Sequence, residues 1–132
     1  MLNIPESSLV CVVDDDAMVR QSLGMLLETL GLACVTFPDC RSLLESSEMT
    51  QCECLILDVR MPGISGTVLQ DILSERAAYL PIIFISGHGD IPLAVEAMRK
   101  GAVDFMQKPF NEQVLLDRVQ KAIALCRERL AA

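Results

Sequence analysis

Leu9-Val10-Cys11-Val12-Val13-Asp14-Asp15-Asp16 sets the pattern that decides the fold, because it is a short apolar run that stops on chemically active residues. Three later stretches repeat the pattern: Leu55-Ile56-Leu57-Asp58, Ile82-Ile83-Phe84-Ile85-Ser86 and Val103-Asp104-Phe105-Met106-Gln107-Lys108. Helix-like stretches separate these runs, so they are predicted to be parallel strands of an α/β sheet. Open α/β sheets bind their ligands at the edge where the carboxyl ends of the strands meet. We therefore expect several carboxylates, one hydroxyl and one ammonium group to gather there.

The segments between the strands have the periodicity and the end signals of helices. Asp15 or Asp16 can cap the first of these helices, Asp39 the second and Asn111 the last. Two helices carry long apolar stripes, at Met18, Val19, Leu23, Leu26, Leu27 and Leu30, and at Val114, Leu115, Val119, Ala122, Ile123, Leu125 and Cys126. Ala33–Phe37 adds a further strand, Cys54–Asp58 is the third strand, and a helix is expected from about Thr67 to Arg76. The chain is predicted to form five strand–helix units, (βα)5, as a doubly wound, five-stranded parallel sheet in the flavodoxin-like order 2-1-3-4-5.

Length and charge narrow the class of protein. A chain of 132 residues suits one domain, with its core at about residues 8–128. The net charge of −7 argues against direct nucleic-acid binding, which needs clustered Lys and Arg. No segment approaches the ~18–20 apolar residues of a membrane span, and the first residues lack the pattern of a signal peptide. We expect a cytoplasmic domain with no membrane contact.

The six cysteines are expected to be reduced. Cys11 and Cys54 lie inside predicted strands, whereas Cys52-Glu53-Cys54 lacks the two-residue gap of a zinc knuckle. The single histidine, His88, is remote from them in sequence. Buried thiols that act as small hydrophobic side chains are the interpretation we favour over a disulfide or a zinc site.

Asp14, Asp15 and Asp58 converge if the first and third strands are neighbours. Like charges a few ångströms apart repel by roughly 4 kcal/mol per pair at an effective dielectric near 20, so a counter-charge is needed. Mg²⁺ prefers carboxylate, water and phosphate oxygens and is the natural candidate. The alternative is that the aspartates only cap the first helix, where negative charge is favourable. Capping needs one aspartate, and the sequence offers three in succession.

Asp58 stands alone after an apolar strand, before a Pro/Gly loop that is expected to leave its carboxylate exposed. It can attack a phosphoryl group and form an aspartyl phosphate. Lys108 can pair with one phosphoryl oxygen, and Ser86 can donate a hydrogen bond to another. Singly, a Ser at a strand end is more often a turn former, and a Lys more often a solvated charge. Their joint position on one sheet edge favours the functional interpretation.

Four ordered motifs resemble the receiver domain of two-component response regulators. They are Val12-Val13-Asp14-Asp15-Asp16, Asp58-Val59-Arg60-Met61-Pro62-Gly63-Ile64-Ser65-Gly66, Pro81-Ile82-Ile83-Phe84-Ile85-Ser86-Gly87-His88-Gly89-Asp90 and Gly101-Ala102-Val103-Asp104-Phe105-Met106-Gln107-Lys108-Pro109-Phe110. The second and third are most similar to the FixJ-type branch of transcriptional regulators. The resemblance spans roughly residues 8–128 and implies the CheY-like form of the predicted fold.

The resemblance implies a role for each matching position. Asp58 would be the phosphoacceptor, and Asp14, Asp15, Asp58 and the backbone carbonyl of Arg60 would bind Mg²⁺, or Mn²⁺ in its place. Lys108 would contact the phosphoryl group and precede a cis peptide bond to Pro109, since proline lowers the cis penalty. Ser86 and Phe105 would form a conformational switch. Phe105 departs from the commoner Tyr at its position.

The resemblance also implies partners. A sensor histidine kinase would supply the phosphoryl group, and a homodimer would form on phosphorylation through the face of the fourth helix and fifth strand. A C-terminal helix-turn-helix output domain, which would bind DNA in the full-length protein and regulate transcription, is not part of this chain. We expect a receiver separated from a larger regulator, with a stand-alone regulator as the alternative.

Two other functions remain as rivals. An aspartate-nucleophile phosphatase uses the same chemistry but carries its nucleophile in the first strand and needs room for a cap domain. A flavodoxin-like nucleotide binder needs a Gly-, Ser- or Thr-rich loop after the first strand, where this chain has aspartates. We therefore expect a phosphoacceptor domain rather than an enzyme with a turnover substrate.

Overall fold

Strands and helices alternate along the chain in the computed structural model, which describes residues 8–61, 63–87 and 90–131. The strands are β1 (Leu9–Val13), β2 (Ala33–Phe37), β3 (Cys52–Asp58), β4 (Ile82–Ser86) and β5 (Asp104–Gln107). The α-helices are α1 (Ala17–Glu28), α2 (Cys40–Glu45), α3 (Gly66–Arg76), α4 (Ile91–Arg99) and α5 (Glu112–Ala131), and a 3₁₀ helix, Ser47–Gln51, precedes β3. All strand pairs are parallel, in the order β2-β1-β3-β4-β5, which confirms the predicted (βα)5 sheet.

Two apolar clusters cover the two faces of the sheet, so the central strands are buried on both sides. One cluster packs β1, β3 and β4 against helices that include α2 and α3, through residues such as Leu43, Leu69 and Leu73. The other packs the opposite face against α1 and α5, through residues such as Leu27 and Val119. This double cover explains why the strands are almost entirely apolar until their last residue.

Helix ends follow the polar and glycine signals of the sequence. Asp39 accepts a hydrogen bond from the amide of Ser42 at 2.8 Å, and Asn111 accepts one from Val114 at 3.0 Å, which confirms both predicted caps. Gly31 and Gly101 follow the ends of α1 and α4 with φ of 73° and 102°. Such left-handed backbone favours glycine because it has no Cβ.

Three boundaries and two side chains differ from the sequence-based predictions. β3 begins at Cys52 rather than Cys54, α1 ends at Glu28 rather than Leu30, and α3 begins at Gly66. Met18 and Val114 belong to the predicted apolar stripes, yet they are 77% and 39% exposed. Both belong to the first turn of their helices, whose later turns carry the buried residues.

The six cysteines are free, and all except the half-buried Cys34 are buried, which confirms the prediction of buried thiols. Burial raises the pKa of Cys40 to about 12 and keeps that thiol protonated. Within the described ranges, no helix has the length and apolar content that crossing a membrane requires. Pro62, His88 and Gly89 of the quoted motifs lie outside the described residues.

Candidate functional site

Asp14, Asp15 and Asp58 come together where β1 and β3 end side by side, and each offers an oxygen within 4.8 Å of the others. Asp14 has no exposed surface, and Asp15 is exposed. Asp58 is only 6% exposed, so the expectation of an exposed carboxylate was wrong. The cause is that Asp58 pairs with Ile85 of β4 as the last residue of a strand inside the sheet. The cluster therefore has an open side at Asp15 and a buried floor.

Helix capping accounts for Asp16. Its side chain accepts a hydrogen bond from the amide of Met18 at 2.9 Å, at the start of α1. Asp14 instead accepts one from the amide of Asp16 at 2.9 Å and faces the cluster. The capping interpretation thus explains one aspartate of the run and leaves the others for a different purpose.

Lys108 crosses the sheet edge to reach this cluster. Its Nζ lies 3.0 Å from Oδ2 of Asp14 and 3.4 Å from Oδ2 of Asp58, and its peptide bond to Pro109 is cis. Burial lowers the pKa of Lys108, but the hydrogen bond to Asp14 and the charges of both carboxylates outweigh burial and raise it. The ammonium group is therefore charged at neutral pH and faces the carboxylate of Asp58.

The pKa of Asp58 is raised above its ordinary value. Burial is the largest cause, and the charge of Asp14 adds to it. The hydrogen bond from the amide of Arg60, at 3.1 Å, and the charge of Lys108 act in the opposite direction without cancelling the rise. In the metal-free fold, the ionised form of Asp58 is thus destabilised and would gain from a further positive charge.

Two hydrogen-bond donors flank the cluster. Arg20 reaches from α1 and donates from Nη1 to the backbone carbonyl of Asp14 at 2.7 Å, which fixes the end of β1. Nothing in the sequence points to Arg20, because a spacing of six residues from Asp14 is not a recognisable local pattern. The Arg60 amide holds Asp58 from the other side.

Gly66 allows α3 to approach the phosphoacceptor candidate closely. A Cβ at this position would lie 2.8 Å from the backbone oxygen of Asp58 and 2.9 Å from Cα of Val59. Real side chains do not tolerate such contacts with backbone atoms, so only glycine fits here. The sequence shows Gly66 within a quoted motif but gives no signal of this contact.

Ser86 and Phe105 lie on the neighbouring strands. Ser86 is buried and donates a hydrogen bond to the carbonyl of Gly87 at 3.1 Å. Phe105 is half-buried and stacks on Phe84, with ring centroids 6.2 Å apart. Ser86 is the last residue of β4, and Phe105 pairs with Phe84 of the same strand, two residues before Ser86. A rearrangement at Ser86 therefore needs to cross only a short distance to affect Phe105.

The donor set fits a hard divalent cation. Three carboxylates face one ammonium group among the described residues, which leaves two negative charges without a partner at close range. Oxygen ligands at this density suit Mg²⁺ or Mn²⁺, which need only one or two carboxylates beside water and phosphate oxygens.

The (βα)5 fold, with acidic residues and a lysine at the carboxyl edge of its sheet, is that of a signalling receiver domain. The family described as "Response regulator receiver domain" matches residues 10–120, and the chain belongs to that family. Receiver domains of this family are signalling switches rather than classical enzymes.

The relatives include FixJ and related transcriptional regulators. Nodulation protein W of Bradyrhizobium diazoefficiens is 47% identical over 95% of this chain and 55% of its own length. Transcriptional regulatory protein FixJ of Azorhizobium caulinodans is 43% identical over 96% of this chain and 60% of its own length. The solved structure of response regulator StyR is 45% identical, with a TM-score of 0.87 over 94% of this chain and 63% of that one. The chain thus spans little more than half the length of the curated relatives it matches.

Proposed function

We propose that this chain is a phosphorylation-controlled switch in which Asp58 accepts a phosphoryl group from a sensor histidine kinase in a Mg²⁺-dependent reaction. One observation carries the proposal: in a receiver domain, Lys108 lies 3.4 Å from Asp58 while Asp14 and Asp15 face the same carboxylate. An oxygen of Asp58 attacks phosphorus, and the bond from phosphorus to the donor nitrogen breaks. The products are an aspartyl phosphate on this chain and the unphosphorylated histidine of the kinase.

The residues around Asp58 would bind the metal and contact the phosphoryl group. Asp14, Asp15, Asp58 and the backbone carbonyl of Arg60 would hold the Mg²⁺ ion, which when bound offsets negative charge on the phosphoryl oxygens. Lys108 contacts one phosphoryl oxygen as a point charge, and the Ser86 hydroxyl donates to another. The phosphatase alternative has no support of its own, because the family match and the position of Asp58 in β3 both favour the receiver.

The output is proposed to run through α4 and β5. Ile91, Val95 and Met98 of α4 are 77%, 47% and 44% exposed, which is unusual for large apolar side chains in one short helix. A homodimer formed on phosphorylation would cover them. In a longer natural protein, that dimer would control a helix-turn-helix output domain and hence transcription, as the names of the regulatory relatives suggest.

The kinase is proposed to dock beside Lys108. A groove of about 660 Å³ lies between α1 and the loop after β5, and most of its lining is apolar. Its polar members are Ser22, Thr29, Glu112 and Lys108, which also reaches Asp58. Met18 and Met25 on its rim are 77% and 63% exposed. A helix of the kinase seated there would bring its phosphohistidine to the carboxyl edge. Met18→Glu should then slow transfer from the kinase but not labelling by acetyl phosphate, whereas Leu130→Glu at the far end of α5 should change neither.

The proposal is tested by labelling with acetyl phosphate, followed by intact mass spectrometry. Wild type should gain one phosphoryl group with Mg²⁺ and none with excess chelator. Asp58→Asn should gain none under either condition, whereas the exposed Asp117→Asn should behave as wild type. Labelling that persists in chelator would refute the metal role.

A further inference from the structure

Arg60 connects the phosphoacceptor to the start of α4. Its backbone amide donates to Oδ1 of Asp58 at 3.1 Å, and its side-chain Nε forms an ion pair with Oδ1 of Asp90. Asp58 ends β3 and Asp90 immediately precedes α4, so this one residue joins the loops that follow β3 and β4. Those loops flank the carboxyl edge where the site lies.

Asp90 occupies a capping position without capping. It is the residue before α4, and its backbone carbonyl accepts from the amide of Ala94 at 2.9 Å, but its side chain makes no hydrogen bond to the helix. Pro92 in the first turn has no N–H, which removes one of the amides that a capping side chain normally reaches. The carboxylate is therefore available to Arg60.

The burial of this carboxylate makes the pair important. The Asp90 side chain is 2% exposed, and a buried charge is costly unless it is paired. Among residues 8–61, 63–87 and 90–131, the cation paired with it is Arg60, whose own side chain is 66% exposed. Asp90 thus holds the Arg60 guanidinium from its buried side. Because Arg60 lies in the loop after β3, this pair also restrains the backbone of that loop.

We propose that Asp90 is a positioning residue for the metal and phosphoacceptor site. By fixing the Arg60 side chain, it holds the Arg60 amide against Asp58 and the Arg60 carbonyl where the metal is proposed to bind. This inference rests on the proposed function and extends it to a residue at the start of α4. Coupling between two sites is reciprocal, so Mg²⁺ binding must in turn stabilise the start of α4.

The test compares Mg²⁺ affinity in four variants of the chain by NMR titration. Asp90→Asn and Arg60→Gln should each weaken Mg²⁺ binding by about tenfold, the scale known for residues that orient metal ligands. The double variant should lose no more Mg²⁺ affinity than the single variant that binds Mg²⁺ less tightly, because the two substitutions remove the same contact. At saturating Mg²⁺, the labelling rate of Asp90→Asn by acetyl phosphate should rise toward that of wild type, because the part of its defect that comes from weaker metal binding is then removed. Arg60→Lys, which keeps the charge, should recover part of the affinity.

Glu53→Gln is the matched control. Glu53 forms a similar pair with Arg127, at 2.7 Å, but lies near the start of β3, at the opposite end of the strand from Asp58. The Glu53→Gln substitution should lower the melting temperature and leave the Mg²⁺ affinity unchanged. In wild type, Mg²⁺ should also slow hydrogen exchange of the Ala94 amide, and this effect should be lost in Asp90→Asn.

Three results would overturn the inference: wild-type Mg²⁺ affinity in a folded Asp90→Asn, losses that add in the double variant, or a loss as large in Glu53→Gln. If wild type binds Mg²⁺ and is labelled on Asp58, each of these three results would leave the proposed function intact. A wild-type chain that neither binds Mg²⁺ nor becomes labelled would instead overturn the proposed function, and this inference with it.

Discussion

Lys108 and Asp14 form an ion pair of 3.0 Å between the ends of two strands, β5 and β1, that are separated by β3 and β4 in the sheet. The Asp14 carboxylate in this pair has no exposed surface. Lys108 consequently neutralises part of the charge that a metal ion is proposed to neutralise. The ammonium group would therefore compete with the proposed metal for the same carboxylates until a phosphoryl group supplied new acceptors.

Lys108→Met should separate metal binding from phosphorylation. Loss of the ammonium group leaves the carboxylates more negative, so Mg²⁺ should bind at least as tightly as in wild type. Labelling by acetyl phosphate should slow by tenfold or more, because a charge-assisted contact to a phosphoryl oxygen is worth about 1.5–3 kcal/mol. Titration and labelling rates measure the two effects. Lys121→Met, on the exposed side of α5, should alter neither.

Asp58→Asn should stabilise the metal-free protein at neutral pH. Burial raises the pKa of Asp58, so the stability linked to its protonation is full at acid pH and is lost as the pH rises through the raised pKa. Removing the charge should recover about 1 kcal/mol, a few degrees in melting temperature for a domain of this size. The gain should shrink as the pH falls through the raised pKa of Asp58 and be absent below about pH 4, the ordinary pKa of an aspartate. A neutral-pH melting temperature lower than that of wild type would contradict this account of Asp58.

Gly66→Ala should damage both the fold and the site. The added Cβ meets backbone atoms of Asp58 and Val59, and overpacking of this kind costs about 1–3 kcal/mol. The displaced Asp58 should also be labelled more slowly at saturating Mg²⁺. Gly24→Ala is the matched control, since its Cβ meets nothing within 4 Å in the middle of α1. It should raise stability by about 0.5–1 kcal/mol and leave labelling unchanged.

The switch should begin at Ser86 and reach Phe105. Phosphorylation adds about −1.5 to −2 charges, and Ser86 is expected to leave the Gly87 carbonyl for a phosphoryl oxygen. Phe105 would then move further inward from its half-buried position beside Phe84. Beryllofluoride should shift the NMR signals of α4 and β5 and increase the dimer fraction in wild type, with a smaller response in Ser86→Ala. Identical spectra and sizes in all samples would refute this mechanism.

Much of the fold was predictable because the residue types along the sequence mark where each central strand ends. An apolar run covered on both faces ends where a charged or polar residue appears, as at Asp14, Asp58 and Ser86, and four strand ends then define one edge. The convergence of Asp14, Asp15 and Asp58 followed from the strand order alone. Local sequence therefore placed most of the candidate site.

Tertiary contacts explain what the sequence did not reveal. The burial of Asp58 depends on its pairing with β4 and on the approach of α3 at Gly66. The pair between Arg60 and Asp90 joins residues 30 positions apart and leaves no periodic signal. Met18 continues the apolar period of α1, yet its side chain is 77% exposed, which the period alone does not reveal.

The most direct test of the central claim is to map the phosphoryl group by peptide mass spectrometry after incubation with Mg²⁺ and acetyl phosphate. The account predicts one modified peptide, with the phosphoryl group on Asp58 and none on Asp14, Asp15 or Asp16. The same map of Asp58→Asn should show no modification. A phosphoryl group on any other residue of the wild type, with Asp58 unmodified, would contradict the account.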